Sequence, residues 1–144
     1  MEEMVPRLRS LSARRNKPLL IMGDLQGPKF RNHIVRGEVQ LVKGATVVLE
    51  LAQDGKDWCS EGRITMLPTK EQSALLTALE PGQVLLLADE KLKLSVSCRE
   101  SPSRVSCIVE VGGALSSRKG INVPGLSLPV SAVTEKDRQD ALDL

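Results

Sequence analysis

The sequence predicts a mainly β protein: a small closed β-barrel with α/β segments at both ends and one short helix near residues 69–79. Three observations carry this expectation. Short runs of alternating apolar and polar residues fill the middle of the chain, each bounded by turn residues. Before them stands one continuously apolar run, "PLLIM" at 18–22, directly after a basic amphipathic stretch. A helix feeding a strand apolar on both faces is the texture of an α/β protein. Within the β region only "TKEQSALLTALEPG", at 69–82, reads as a helix with start and stop signals.

Taken in order, "VPRLRSLSARRN" places Val5, Leu8 and Leu11 three apart among Arg7, Arg9, Arg14 and Arg15, as in a short amphipathic helix. "KPLLIMGDLQG" follows as a buried strand closed by Gly23 and Asp24. In "EVQLVKGATVVLEL", Val39 and Leu41, then Val47, Leu49 and Leu51, share one face, with Lys43-Gly44 as a turn. Thr69 and Gln72 have capping-box spacing, and Pro81-Gly82 end that helix. "VLLLADEKLKLSVSC" and "RVSCIVEV" resume the strands, joined through "RESPSR". Leu92, Leu94, Val96 and Cys98 are expected on one apolar face, and Val105, Cys107, Val109 and Val111 on another. The last segment, "VTEKDRQDALDL", opens like a helix with Thr134 as N-cap.

Composition bounds the function. An apolar content of 41% is enough for a core in a chain of 144 residues. A net charge of +2 does not by itself imply a nucleic-acid or membrane partner. The first residues lack the apolar run of a signal peptide, and no run approaches membrane-spanning length. Three cysteines without CxxC spacing suit a reducing compartment. Cys98 and Cys107 are expected to pack in the core. Cys59, beside Trp58 in a polar loop, is expected nearer the surface, and no zinc-ligand spacing occurs. The one histidine, His33, reads as a surface residue of an early strand, with a catalytic role as the alternative.

One stretch calls for chemistry. "GGALSSRKGINVPG" at 112–125 crowds glycines, Ser116, Ser117, Arg118 and Lys119 into a path unsuited to helix or long strand. Such a path can present backbone N–H groups, hydroxyls and cations to an anion. An ordinary loop is the competing reading, and the pattern is not a Walker motif.

"GDLQGPKFR" at 23–31 and "GGALSSRKGINVPG", followed by "TEKD" at 134–137, closely resemble pyruvate kinase, as does the intervening "LEPGQVLLLADEKLKL". The resemblance implies a (β/α)8 barrel carrying an inserted β-barrel lid. Residues 1–27 would be the end of a barrel helix and the third barrel strand, 28–127 the lid, and 128–144 the start of the next helix. It implies a lid closing over phosphoryl transfer from phosphoenolpyruvate to ADP in glycolysis, in a cytoplasmic, homotetrameric parent enzyme that binds ATP and Mg2+. It places Arg31 as the catalytic and nucleotide-contacting arginine and Lys119 as the nucleotide-contacting lysine. Asp24 falls at the carboxylate of a monovalent-cation site.

The departures carry their own expectations. Leu25 stands where many members have threonine and Lys29 where many have glutamate, so Lys29 is expected to replace K+ at Asp24. Ala88-Asp89-Glu90 replaces the usual Asp-Asp-Gly turn. The family's Mg2+ ligands have no counterpart here, so the 144-residue chain alone is expected to be inactive. The alternative function is a stand-alone β-barrel binding module, using the basic Arg7–Lys17 stretch toward nucleic acid. Phe30 and Trp58 are the only Phe or Trp and there is no Tyr, which is poor in stacking platforms.

Overall fold

The computed structural model describes residues 3–25, 29–128 and 133–143. It divides into two compact units, Met1–Gly27 with Val133–Leu144, and Pro28–Ala132. The "GDLQGPKFR" motif crosses this division, and its residues 26–28 lie outside the described residues.

In the first unit, α1 (Met4–Arg14) forms where the apolar spacing predicts, and none of its side chains is buried. The apolar run after it does not form the expected strand: no ladder or bridge occurs over 17–25. Leu20 is 93% and Met22 85% exposed. A strand of the parallel kind needs hydrogen-bonded neighbours on both edges and cover on both faces, and this unit supplies neither. The unit ends in α3 (Glu135–Leu142), whose N-cap is a complete capping box. Thr134 Oγ1 accepts from Asp137 N–H at 3.1 Å, and the Asp137 carboxylate accepts from Thr134 N–H at 2.8 Å.

The second unit is mainly β. Its strands are β1 (Val39–Leu41), β2 (Thr46–Leu51), β3 (Arg63–Met66), β4 (Val84–Leu87), β5 (Leu92–Ser101), β6 (Arg104–Val111), β7 (Gly113–Leu115) and β8 (Ile121–Asn122), with α2 (Lys70–Ala78) between β3 and β4. Six strands form one sheet in the order β3-β2-β6-β5-β4-β8, and β1 pairs with β7 in a second. The alternation of Val47, Leu49, Leu85, Leu87, Leu92 and Leu94 puts each of them in one shared core with Val39, Leu41 and Leu115 of the small sheet and Leu75, Leu76 and Leu79 around α2. Each such side chain contributes about 1.5–3 kcal/mol when fully buried.

Helix α2 ends where Pro81-Gly82 predict, and Arg99 of β5 secures the end. Its guanidinium donates to the carbonyls of Leu76, at 2.7 Å, and Thr77, at 3.1 Å, which have no partner in the next turn. At the start only half of the expected capping box forms. Thr69 Oγ1 accepts from Gln72 N–H, but the Gln72 carboxamide turns inward instead of back to Thr69.

Two expectations about faces are corrected by register, and two more by how a loop and a crossing segment are buried. Between Val96 and Cys98 the β5–β6 ladder shifts by a bulge, so Cys98 turns to solvent while Cys107 stays buried. Val111, past a further shift, is 47% exposed. Cys59 is buried rather than exposed, with its Sγ accepting from Thr65 N–H at 3.3 Å. His33 is also buried, held by His33 N–H to Thr65 O at 2.7 Å. The polar loop around residues 52–60 folds inward onto β3, which strand alternation does not reveal.

In the register given, β3 and β8 are the two edges of the large sheet, so its ladder does not close on itself. Residues 30–35 meet both edges through hydrogen bonds and neighbouring isolated bridges. On one side Ile121 N–H donates to Phe30 O at 2.7 Å, and Arg31 pairs with Gly120. On the other, His33 bonds Thr65 of β3, and Cys59 N–H donates to Ile34 O at 2.9 Å.

Candidate functional site

The crossing at 30–35 places two of the sequence-derived site residues next to one another. Arg31 stands opposite Gly120, and Asn32 N–H donates to Lys119 O at 3.1 Å, although the two stretches are far apart in sequence. Both the Arg31 and Lys119 side chains are exposed, and so is Lys29, two residues before Arg31. The backbone beneath them is pinned from three directions. Arg31 N–H donates to Gln72 Oε1 at 3.1 Å. Lys119 N–H donates to the Asn32 carboxamide oxygen at 3.0 Å, and the same carboxamide donates to Ser116 O at 3.0 Å. Ser117 Oγ accepts from Val35 N–H at 2.8 Å and donates to Val35 O at 3.2 Å.

These bonds correct the anion-loop reading of "GGALSSRKG". The Ser117 hydroxyl and the Lys119 N–H are spent on residues 32 and 35, so they do not face an anion; the Arg31 and Lys119 side chains can. The glycines do other work than holding a phosphate. A Cβ on Gly112 would stand 2.4 Å from Leu41 O, and one on Gly113 2.9 Å from Leu92 Cδ2. Both admit close packing of β1, β7 and β5. Beside Gly120 lies an open groove of about 380 Å3, lined by Leu86, Asp89, Glu90, Gly120, Ile121 and Asn122. Ala88, Asp89 and Glu90 all have positive φ, and Ala88 N–H donates to Gly120 O at 3.2 Å. The turn that departs from the family pattern is thus docked against the lysine loop.

Asp24 is exposed and belongs to the first unit. Arg31 and Lys119 belong to the second. Among the described residues no three His, Cys, Asp or Glu side chains converge to hold a metal ion, and no helix is long and apolar enough to cross a membrane. Two residues that support the site were not singled out for it in the sequence. Asn32 carries no short-range signal beyond its place beside Arg31, and Gln72 read as a helix cap.

The β-unit thus displays exposed cations from two distant segments on one crossing. The comparisons place it. The family described as pyruvate kinase, barrel domain, matches residues 1–143. The pyruvate kinase of Methylorubrum extorquens is 38% identical over 141 residues, covering 97% of this chain and 28% of that protein. One from Agrobacterium vitis is 34% identical over 139 residues, covering 96% and 27%. The crystal structure of pyruvate kinase from Pyrobaculum aerophilum matches with a TM-score of 0.73 at 26% identity, covering 98% of this chain and 29% of that one. That of Cryptosporidium parvum matches at 0.78 and 24%, covering 97% and 28%, a likeness of fold. The chain belongs to the pyruvate kinase family, and it spans little more than a quarter of the length of these relatives.

Proposed function

We propose that this chain is the lid region of a pyruvate kinase. Residues 28–127 form the inserted β-barrel, closed by the crossing at 30–35. Residues 1–27 and 128–144 belong to the larger (β/α)8 barrel, which covers the apolar run at 18–22. The lid shuts over phosphoryl transfer from phosphoenolpyruvate to ADP. The observation that supports this most is the pairing of the Arg31 and Lys119 stretches, which brings together the two cations that the family motifs assign to phosphate. Membership of the family does not favour the nucleic-acid module.

Phosphoryl transfer is catalysed mainly by positioning and by charge on the phosphate oxygens. Arg31 offers a planar fork to two oxygens at once, and Lys119 a mobile point charge. Closure of the lid excludes water and strengthens both contacts. A divalent ion neutralises phosphate charge in this chemistry, and the resemblance assigns its ligands to the rest of the enzyme. On the resemblance, the ammonium of Lys29 takes over the role of K+, so activity does not require K+. The family resemblance supports a cytoplasmic, tetrameric parent enzyme, and the chain by itself does not turn over.

The test is a chimera in which this chain replaces the matching segment of the Methylorubrum extorquens enzyme, assayed by coupled pyruvate release. Turnover is expected in the chimera, in K+ and in tetramethylammonium alike, and none in the isolated chain. Lys119→Met is expected to lower kcat more than it raises KM, as for a contact that strengthens in the closed transition state. Wild-type kinetics in that variant, or metal-dependent turnover by the isolated chain, would overturn the reading.

A further inference from the structure

We propose that Asn32 is a positioning residue that couples Arg31 to Lys119, so that the two cations meet phosphate as one unit. The inference rests on the phosphate reading of those residues. Asn32 is 2% exposed, and its carboxamide is used in full within the fold. The oxygen accepts from Lys119 N–H at 3.0 Å, and the nitrogen donates to Ser116 O at 3.0 Å and to His33 O at 2.8 Å. Its own N–H donates to Lys119 O at 3.1 Å. Asn32 therefore holds both backbone polar groups of Lys119, and it is covalently the next residue to Arg31.

The chemistry of the carboxamide matters. A single side chain must here accept from one backbone N–H and donate to two carbonyls, which an amide does and a carboxylate or hydroxyl cannot do in full. Losing the amide removes the partners of Lys119 N–H and Ser116 O, and the lysine loop is then free to leave the edge. Arg118 adds to this tendency, since it sits at a φ of 55° that a non-glycine residue adopts at a cost. Gln72 does for the Arg31 N–H what Asn32 does for Lys119, and it also anchors to Leu67 O at 2.9 Å. The two cations thus have fixed backbones and free side-chain tips, the arrangement a paired anion clamp needs.

The experiment uses the 144-residue chain and inorganic triphosphate as probe, with affinity read by NMR titration. Asn32→Ala is expected to weaken triphosphate about 5–10-fold, but less than about 2-fold when Lys119 is already Met, because the residue acts through that lysine. Amide hydrogen exchange at Lys119 should quicken by at least about 10-fold in Asn32→Ala. Asn32→Asp, which keeps an acceptor for Lys119 N–H but loses the donors, should fall between the two and serves in place of Asn32→Ala if that variant fails to fold. A merely structural role would weaken binding equally in both backgrounds, and that result overturns the coupling, as does unchanged affinity in Asn32→Ala. Unchanged affinity in Lys119→Met, or no triphosphate binding by the native chain, instead removes the phosphate reading and the coupling with it.

Discussion

Residues 17–25 and residues 30–35 are both short, and neither belongs to a regular strand, yet they stand in opposite environments. The first carries a run of four consecutive apolar residues and leaves Leu20 and Met22 in solvent. The second is mixed in character and buries Asn32 and His33. Its backbone is tied to β3, to β8, to Gln72 and to Ser117. Apolarity states that a segment is meant to be covered but not by what. Polar side chains with distant partners state where a segment is fixed, and they do so only once the partners are folded. The site lies on the second segment because charge placement needs a fixed backbone, not merely a buried one.

The comparison breaks most sharply under truncation. Leu94 is fully buried at the centre of the sheet, and Leu94→Ala should cost about 2–5 kcal/mol in urea unfolding. Leu20→Ser should change stability by less than about 0.5 kcal/mol in the same measurement, because no contact is lost. It should also reduce self-association of the isolated chain, as an exposed apolar patch is removed. Equal losses in the two variants would show that 17–25 is covered in solution and that the contrast drawn above is false.

The same contrast explains what could be read in advance. The helices were legible because their signals are local: Thr69 and Thr134 cap where their spacing says, and Pro81-Gly82 stop α2. The strand faces were legible until the ladder slipped. Nothing local in "SVSC" announces the bulge that turns Cys98 outward. Nothing in the polar run 52–60 announces that Cys59 will be buried against Thr65. Arg31 was singled out only through resemblance of whole motifs, Lys119 also through the crowded loop around it. Asn32, which ties their backbones together, was not, since its partners lie more than eighty residues away.

Acid should sharpen the difference between the two segments. The loop that supports the crossing is anchored by Arg63, whose guanidinium bonds both oxygens of Asp57 and also reaches Glu50. Thr65 Oγ1 donates to Asp57 O at 2.8 Å, so the pair sits beside the His33–Thr65 contact. The Arg63 hydrogen bonds, with help from Gln53 N–H, hold the Asp57 carboxyl at about 2 instead of its ordinary 3.8. A carboxylate with a lowered folded value binds its proton more readily when unfolded. Its stabilisation is therefore complete above about pH 4 and is lost as pH falls toward about 2. Hydrogen exchange near 30–35 and 57–65 should quicken over that window, with no matching change at 17–25. In Arg63→Met this acid step should shrink. An unchanged acid profile in that variant would detach the ion pair from the crossing.

The smallest effect expected is a gain. Ala88, Asp89 and Glu90 stand consecutively at φ of 53°, 56° and 68°, a left-handed turn between β4 and β5 made without glycine. Each non-glycine residue in that region brings its Cβ against a carbonyl oxygen, at roughly 1–2 kcal/mol. The resemblance leads one to expect an Asp-Asp-Gly turn here, with glycine at Glu90, where the φ is largest of the three. Glycine removes the clash but adds freedom to the unfolded chain, so part of the gain is returned. Glu90→Gly should therefore raise stability by about 0.5–1 kcal/mol, seen as a higher urea midpoint at unchanged m-value. Glu90→Ala, which keeps the Cβ and removes the charge, separates strain from electrostatics and should show little of that gain. The Ala88–Gly120 hydrogen bond makes the turn part of the site's footing, so relief of strain should leave the Lys119 loop in place. A loss of stability in Glu90→Gly would mean that the glutamate side chain holds the turn, and that the left-handed backbone there is supported rather than merely tolerated.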